Sequence, residues 1–121
     1  MASVDMQLVI DTTEDAQTLT LAGHGEIDFA TLDTLTSELV KAANSDVETV
    51  VVDLQQVTYI DSSGLGVLVG AHKRLKAQGR ALVLRVADAE MIKLLKLTGL
   101  DQLFALEMPY DEAGNPAPAR D

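Results

Sequence analysis

The stretch Thr49-Val50-Val51-Val52-Asp53-Leu54-Gln55-Gln56-Val57-Thr58-Tyr59-Ile60-Asp61-Ser62-Ser63-Gly64-Leu65-Gly66 decides the fold. Its opening run, residues 47–54, is apolar and β-branched with acids near its ends, the composition of a strand buried on both faces and therefore central in a sheet. A second apolar run, 57–60, follows two glutamines and stops at the turn Asp61-Ser62-Ser63-Gly64. Beyond it the period changes. Leu65, Leu68, Val69, His72 and Leu75 recur at three and four residues, and Lys73, Arg74 and Lys76 lie near the end where a helix dipole favours cations. With Gly79 as the stop, the spacing predicts a helix over 63–78.

The same reading extends outward in both directions. Upstream, 6–10 and 18–23 read as strands joined across the polar stretch 11–17, a hairpin with one wet face. From Phe29 the apolar positions Leu32, Leu35, Leu39 and Val40 predict a helix over 30–43, with Asp28 as a candidate cap. Downstream come a strand at 81–86, a helix at 89–98 carrying Met91, Leu94 and Leu95 and stopped by Gly99, and a short strand at 103–106. The order β-β-α-β-α-β-α-β defines a single α/β domain over 4–107. Its sheet should be mixed and mostly parallel, with an antiparallel opening hairpin. Residues 108–121, acidic and rich in proline, read as a flexible tail.

Composition narrows the function classes. A chain of 121 residues with 47% hydrophobic content is one domain with a core of its own. A net charge of −10 disfavours nucleic acid and anionic membrane as partners and favours a basic or neutral protein. There is no cysteine, which removes thiolate chemistry, and no apolar stretch long enough for a membrane span, so a cytoplasmic location is expected. Two Phe, two Tyr and no Trp leave little for stacking on bases or sugars. The charge is uneven: residues 1–61 hold twelve acids and one base, while 62–101 hold seven bases and three acids. That asymmetry reads either as solvated faces or as a docking surface of defined sign.

The turn after the central strand is the one segment whose chemistry stands out. A helix begins there with unpartnered amide N–H groups and a partial positive charge, so a phosphate on Ser62 would be tolerated. The plainer alternative makes Ser62 or Ser63 an N-cap. Gly64, Gly66 and Gly70 imitate a dinucleotide fingerprint, with Asp88 near the end of the next strand. The third glycine is one residue late, and Asp61, Ser62 and Ser63 intervene, which leaves helix-packing glycines as the alternative. No G-x-S-x-G frames either serine, no H-E-x-x-H is present, and no Asp–His pairing is visible for His24 or His72. His72 falls on the apolar stripe, as a packed or hydrogen-bonded core residue would. No metal or cofactor is expected. Asp28 reads equally as a helix cap or as a site residue placed beside Ser62 by neighbouring loops.

Val51-Val52-Asp53-Leu54, the run from Val57 through Asp61-Ser62-Ser63-Gly64-Leu65-Gly66 to Leu68, Gly25-Glu26-Ile27-Asp28 and Leu97-Thr98-Gly99-Leu100 together resemble the STAS-domain anti-anti-sigma factors of bacteria, the anti-sigma factor antagonists. The resemblance implies a non-enzymatic switch. The unphosphorylated form binds an anti-sigma factor that is also a serine kinase and so frees a sigma factor; phosphorylation breaks the complex, and a serine phosphatase restores it. It places the phosphoacceptor on Ser62, with Ser63 the lesser candidate, and a switch loop on Asp28, Asp61, Ser62, Ser63, Gly64, Leu65 and Gly66. The reading from another class is a small nucleotide-binding or hydrolytic domain using the Gly64-Gly66-Gly70 turn.

Overall fold

The computed structural model describes residues 7–108, so Met6, the expected start of the first strand, and the expected tail from 109 onward lie outside the described residues. Five strands form one sheet in the order β1-β2-β3-β4-β5. β1 (Leu8–Asp15) and β2 (Thr18–Ile27) pair antiparallel, and β3 (Thr49–Ile60), β4 (Ala81–Arg85) and β5 (Ala105–Glu107) follow in parallel. The β-branched run is the middle strand, as its composition predicts. Helices α1 (Leu32–Ala43), α2 (Ser62–Ala77) and α3 (Ala89–Leu97) connect successive parallel strands. Each connection steps one strand in the same direction, so right-handed crossovers place all three helices on one face.

The core lies between that face and the helices. Val50, Val52 and Leu54 of β3 and Leu82 and Leu84 of β4 cluster there with Leu35, Leu39, Leu68, Leu75 and Leu95. Val51 and Val83, at the alternating positions, are buried outside this cluster. Beyond them on the opposite face, the Arg85 guanidinium bridges Asp53 and Glu107 across the three register-matched strands. The hydrogen bond to Glu107 first, then attraction to both acids, raises the Arg85 pKa above its ordinary value against the cost of burial. Arg80 fastens the helix layer to the sheet. Its guanidinium donates to the carbonyls of Val47 (2.7 Å), Ala43 (2.9 Å) and Ala42 (2.9 Å), satisfying the last turn of α1.

Several boundaries differ from the sequence expectation, each for a physical reason. The polar segment 11–15, expected as part of a loop, continues β1, because the ladder joins backbone groups whatever the side chains. The turn shrinks to Ala16 and Gln17, with Ala16 at φ 52°. The runs 47–54 and 57–60 lie in one strand, as the expected order has it, but β3 starts at Thr49 rather than at 47. Register shifts between Ala22 and His24 and between Gly25 and Glu26 let β3 carry extra residues while it stays paired with β2 as far as Ile27 and Ile60. Gly25 makes this possible: its φ is +121°, and a Cβ there would lie 2.0 Å from the Gln7 carbonyl oxygen. The last strand starts at Ala105 rather than 103, because Leu100–Gln102 forms a 3-10 turn after Gly99 at φ 76°. Among the described residues no helix is long and apolar enough to cross a membrane.

Candidate functional site at the mouth of the second helix

β3 ends at Ile60 and α2 begins at Ser62, so a single residue, Asp61, makes the connection. Its backbone is extended (φ −100°, ψ −178°), and one carboxylate oxygen accepts from the Gly64 N–H (3.0 Å) and from the Ser63 hydroxyl (2.6 Å). The other oxygen accepts from the Phe29 N–H (3.2 Å), and the Asp61 N–H donates to the Ile27 carbonyl (3.1 Å). Asp61 is therefore the N-cap of α2 and a strap between two loops. This corrects the reading of Ser62 or Ser63 as the cap: an aspartate offers two acceptor oxygens, and together they serve donors from two loops that one hydroxyl could not reach. The Ser63 hydroxyl, then the Gly64 and Phe29 N–H groups, hold the Asp61 carboxyl below its ordinary pKa.

The two serines separate cleanly. Ser63 is half-buried, and its hydroxyl is committed to Asp61. Ser62 is the first residue of the helix and exposed, and its Oγ makes no hydrogen bond among the described residues.

The glycines separate as well. A Cβ on Gly64 would lie 2.5 Å from Ile27 Cγ2 and 2.9 Å from Ile60 Cγ1, so the absent side chain lets the first turn of α2 rest on the ends of β2 and β3. Gly66 and Gly70 have open space where a Cβ would be. They do not pack helices, which corrects that alternative for two of the three. The fingerprint reading fares no better: Gly64 approaches protein, and the Asp61 carboxylate already occupies the helix N–H where a phosphate-binding loop would seat a ligand. Leu65 is buried beneath this turn.

Asp28 lies in the neighbouring strap but faces its own turn. Its carboxylate accepts from the Thr31 N–H (3.1 Å), and the Thr31 hydroxyl accepts from the Asp28 N–H (3.0 Å) and donates to the Glu26 carbonyl (2.8 Å). The expected helix start at Ala30 moves to Leu32, with Thr31 in the cap position, because this reciprocal pair holds residues 28–31 as a turn. Asp28 is thus not the cap of α1, which corrects that reading: its contact ends at Thr31, the N-cap, and no side chain caps the helix. Its two chain neighbours, Ile27 and Phe29, are tied to Asp61.

Phe29 opens the helical apolar pattern in the sequence, yet it is 82% exposed, beside the switch turn. Its spacing of three from Leu32 reads as a core position, so no signal in the sequence marks its exposure. The histidines lie elsewhere. His24 contacts Asp11 across the hairpin (3.2 Å), an Asp–His pair that sequence spacing does not show, and both side chains are exposed. His72 packs edge-on against Phe104, ring centroids 5.5 Å apart, with its buried Nδ1 unpartnered. Asp88, which the fingerprint reading noted near the end of the next strand, caps α3 by accepting from the Met91 N–H (3.0 Å).

A mixed sheet with three helices on one face and a capped strand-to-helix turn at the end of its central strand matches a known class. The family model described as the STAS domain fits residues 8–113, and the chain belongs to that family. Within it, the anti-sigma-B factor antagonist of Bacillus subtilis (strain 168) is 33% identical over 98 residues, covering 81% of this chain and 89% of that protein. Its counterpart in Staphylococcus aureus (strain NCTC 8325 / PS 47) is 31% identical over the same length, 81% of this chain and 91% of that one. In fold, the chain matches an anti-sigma factor antagonist from Mycobacterium paratuberculosis with a TM-score of 0.78 at 22% identity, over 88% of this chain and 90% of that one. It also matches SpoIIAA in its unphosphorylated form, with a TM-score of 0.71 at 19% identity over 87% and 90% of the two chains.

Proposed function

We propose that the protein is an anti-sigma factor antagonist whose binding is switched off by phosphorylation of Ser62. The observation that carries this reading is the Ser62 hydroxyl, exposed and unbonded on the first turn of α2, in a chain whose curated relatives are anti-sigma-B factor antagonists. The partner is an anti-sigma factor with serine kinase activity, and a serine phosphatase reverses the modification. The protein itself is a binding switch and performs no catalysis; its site of action is the cytoplasm.

The chemistry needs little from this chain. Ser62 Oγ attacks the γ-phosphorus of ATP held by the kinase; the new O–P bond forms as the bond to the β–γ bridging oxygen breaks, ADP leaves, and the hydroxyl proton passes to a base on the kinase. Ser63 is the poorer acceptor because its hydroxyl would first have to leave Asp61. The product adds a charge of about −1.5 to −2 beside Asp61. The helix dipole favours it, while the Asp61 carboxylate, which already takes the Gly64 N–H, repels it, so the phosphate turns outward to the surface where a partner sits. A hundredfold loss of affinity requires only about 2.7 kcal/mol, which one unpaired, partly desolvated phosphate supplies. No refolding is needed. The chain's likeness in fold to SpoIIAA in both its unphosphorylated and phosphorylated forms supports that view.

The test is incubation with ATP and the serine-kinase anti-sigma factors encoded in the same genome, followed by mass spectrometry and titration calorimetry. One phosphate on Ser62, absent from Ser62→Ala, with Ser62→Asp weakening kinase binding about a hundredfold, is the expected result. Modification elsewhere, or equal affinity of the Ser62→Asp protein, overturns the reading.

A further inference from the structure

β3 outruns its neighbour. Its last residue paired with β4 is Asp53, opposite Arg85, and from Leu54 to Ile60 it is paired with β2 alone. The stretch 54–60, Leu-Gln-Gln-Val-Thr-Tyr-Ile, contains no charge and no proline, the usual guards of a strand edge. The outer edge of β1, by contrast, carries Asp11, Glu14 and Asp15, all exposed. The unpaired side of β3 opens onto a groove of about 270 Å³ closed by the start of α3. Val57 and Ile60 on the strand and Met91 and Leu94 on the helix supply its apolar walls, and Asp88 and Glu90 are its charges. Tyr59, 52% exposed, stands at its rim two residues before Asp61.

We propose that this groove receives an extended segment of the partner protein, apolar and basic in alternation, which adds to the free edge of β3. At about 270 Å³ the groove falls at the small end of ligand sites, which run from roughly 300 to 1,000 Å³, and suits one or two apolar side chains. An open strand edge supplies main-chain hydrogen bonds to an added strand, while the groove selects side chains on one of its faces. The sign of the charge comes from the walls: Asp88 and Glu90 stand there with no basic residue among the lining groups, so a basic side chain is attracted and an acidic one repelled. Asp88 spends one oxygen on the Met91 N–H; Glu90 makes no hydrogen bond among the described residues and is the stronger anchor. Because Ile60 adjoins Asp61, a segment seated here runs up to the Ser62 turn. The groove then contributes affinity and partner selection while the serine decides whether the complex forms. The groove deepens the function proposed for the Ser62 turn and rests on it for the identity of the partner.

The test titrates the 15N-labelled full chain with the peptide Ac-Lys-Val-Arg-Leu-Lys-Val-NH2 and, separately, with Ac-Glu-Val-Glu-Leu-Glu-Val-NH2. Saturable amide shifts confined to 54–60 and 88–94 with the basic peptide alone, weakened at least tenfold in Glu90→Lys, are expected. Shifts scattered over the acidic residues 1–48, an equal response to the acidic peptide, or unchanged binding in Glu90→Lys overturns the groove. The Glu90→Lys protein is then measured against the kinase that modifies Ser62, where a tenfold weaker complex is expected. Unchanged kinase affinity with Ser62 still phosphorylated overturns the groove and leaves the switch standing. A peptide that saturates the groove in a chain whose Ser62 no kinase modifies overturns the switch and leaves the groove standing.

Discussion

The mouths of α2 and α3 share one device and differ in the residues behind it. Each helix is capped by an aspartate whose carboxylate accepts from the third helical N–H, at 3.0 Å in both: Asp61 from Gly64, Asp88 from Met91. After Asp61 come serine, serine and glycine; after Asp88 come alanine, glutamate and methionine. Glycine in the third position lets α2 settle onto Ile27 and Ile60, which closes the space beneath it and leaves its first residue raised on a firm base. Methionine in the third position of α3 fills the space beneath its helix with a side chain and leaves a groove beside β3. The cap fixes where a helix starts. The next three positions decide whether that start presents an exposed hydroxyl or a permanent charge.

Substitutions at matched positions test this contrast. Met91→Ala should cost the most, about 2–5 kcal/mol, because a buried side chain is lost above a groove that cannot fully collapse; chemical denaturation measures it. Gly64→Ala should cost about 1–3 kcal/mol, since its Cβ meets two isoleucines of which Ile27 is only 1% exposed. A neutral result there would break the claim that α2 is seated by close approach. Asp88→Ala should cost about 0.5–2 kcal/mol as a plain cap loss confined to α3. Asp61→Ala should also lower the melting temperature, but with a second signature, faster hydrogen exchange at the Phe29 amide, because only the first aspartate straps two loops. Ser62→Ala should fall within about 0.5 kcal/mol of the parent, its hydroxyl holding nothing.

Acid sharpens the same comparison. The Asp61 carboxyl is held below the ordinary value of 3.8, so the folded state favours its ionised form. The stability this contributes is fully present above that value and is lost as pH falls through the depressed folded pKa. The Phe29 and Gly64 amide resonances should therefore titrate together, at a pH below 3.8.

The element order, the central strand and the turn at 61–64 were legible in the sequence, because each rests on a change of hydrophobic period at known residues. Features supplied by backbone geometry were not. Residues 11–15 have no apolar alternation to mark them, yet they pair along the hairpin; residues 55–56 look like a break between two runs, yet a bulge carries the strand through. At the site, spacing isolates Asp61, Ser62, Ser63 and Gly64 but assigns the cap to a serine, since cap preference ranks residue types and cannot see a second acceptor oxygen reaching Phe29. The exposure of Phe29 and the free edge of β3 are products of strand lengths that only the assembled sheet reveals.

The Ser62 hydroxyl stands two residues past the end of β3, the middle strand of the sheet. The last seven residues of that strand pair with β2 alone, and Asp61 straps the turn to Phe29, so the hydroxyl stands on a fastened turn, like a button on a plate rather than on a spring. Under the proposed switch, an enzyme that modifies Ser62 must shape its own cleft around a held target, and the mark is read as a change of surface.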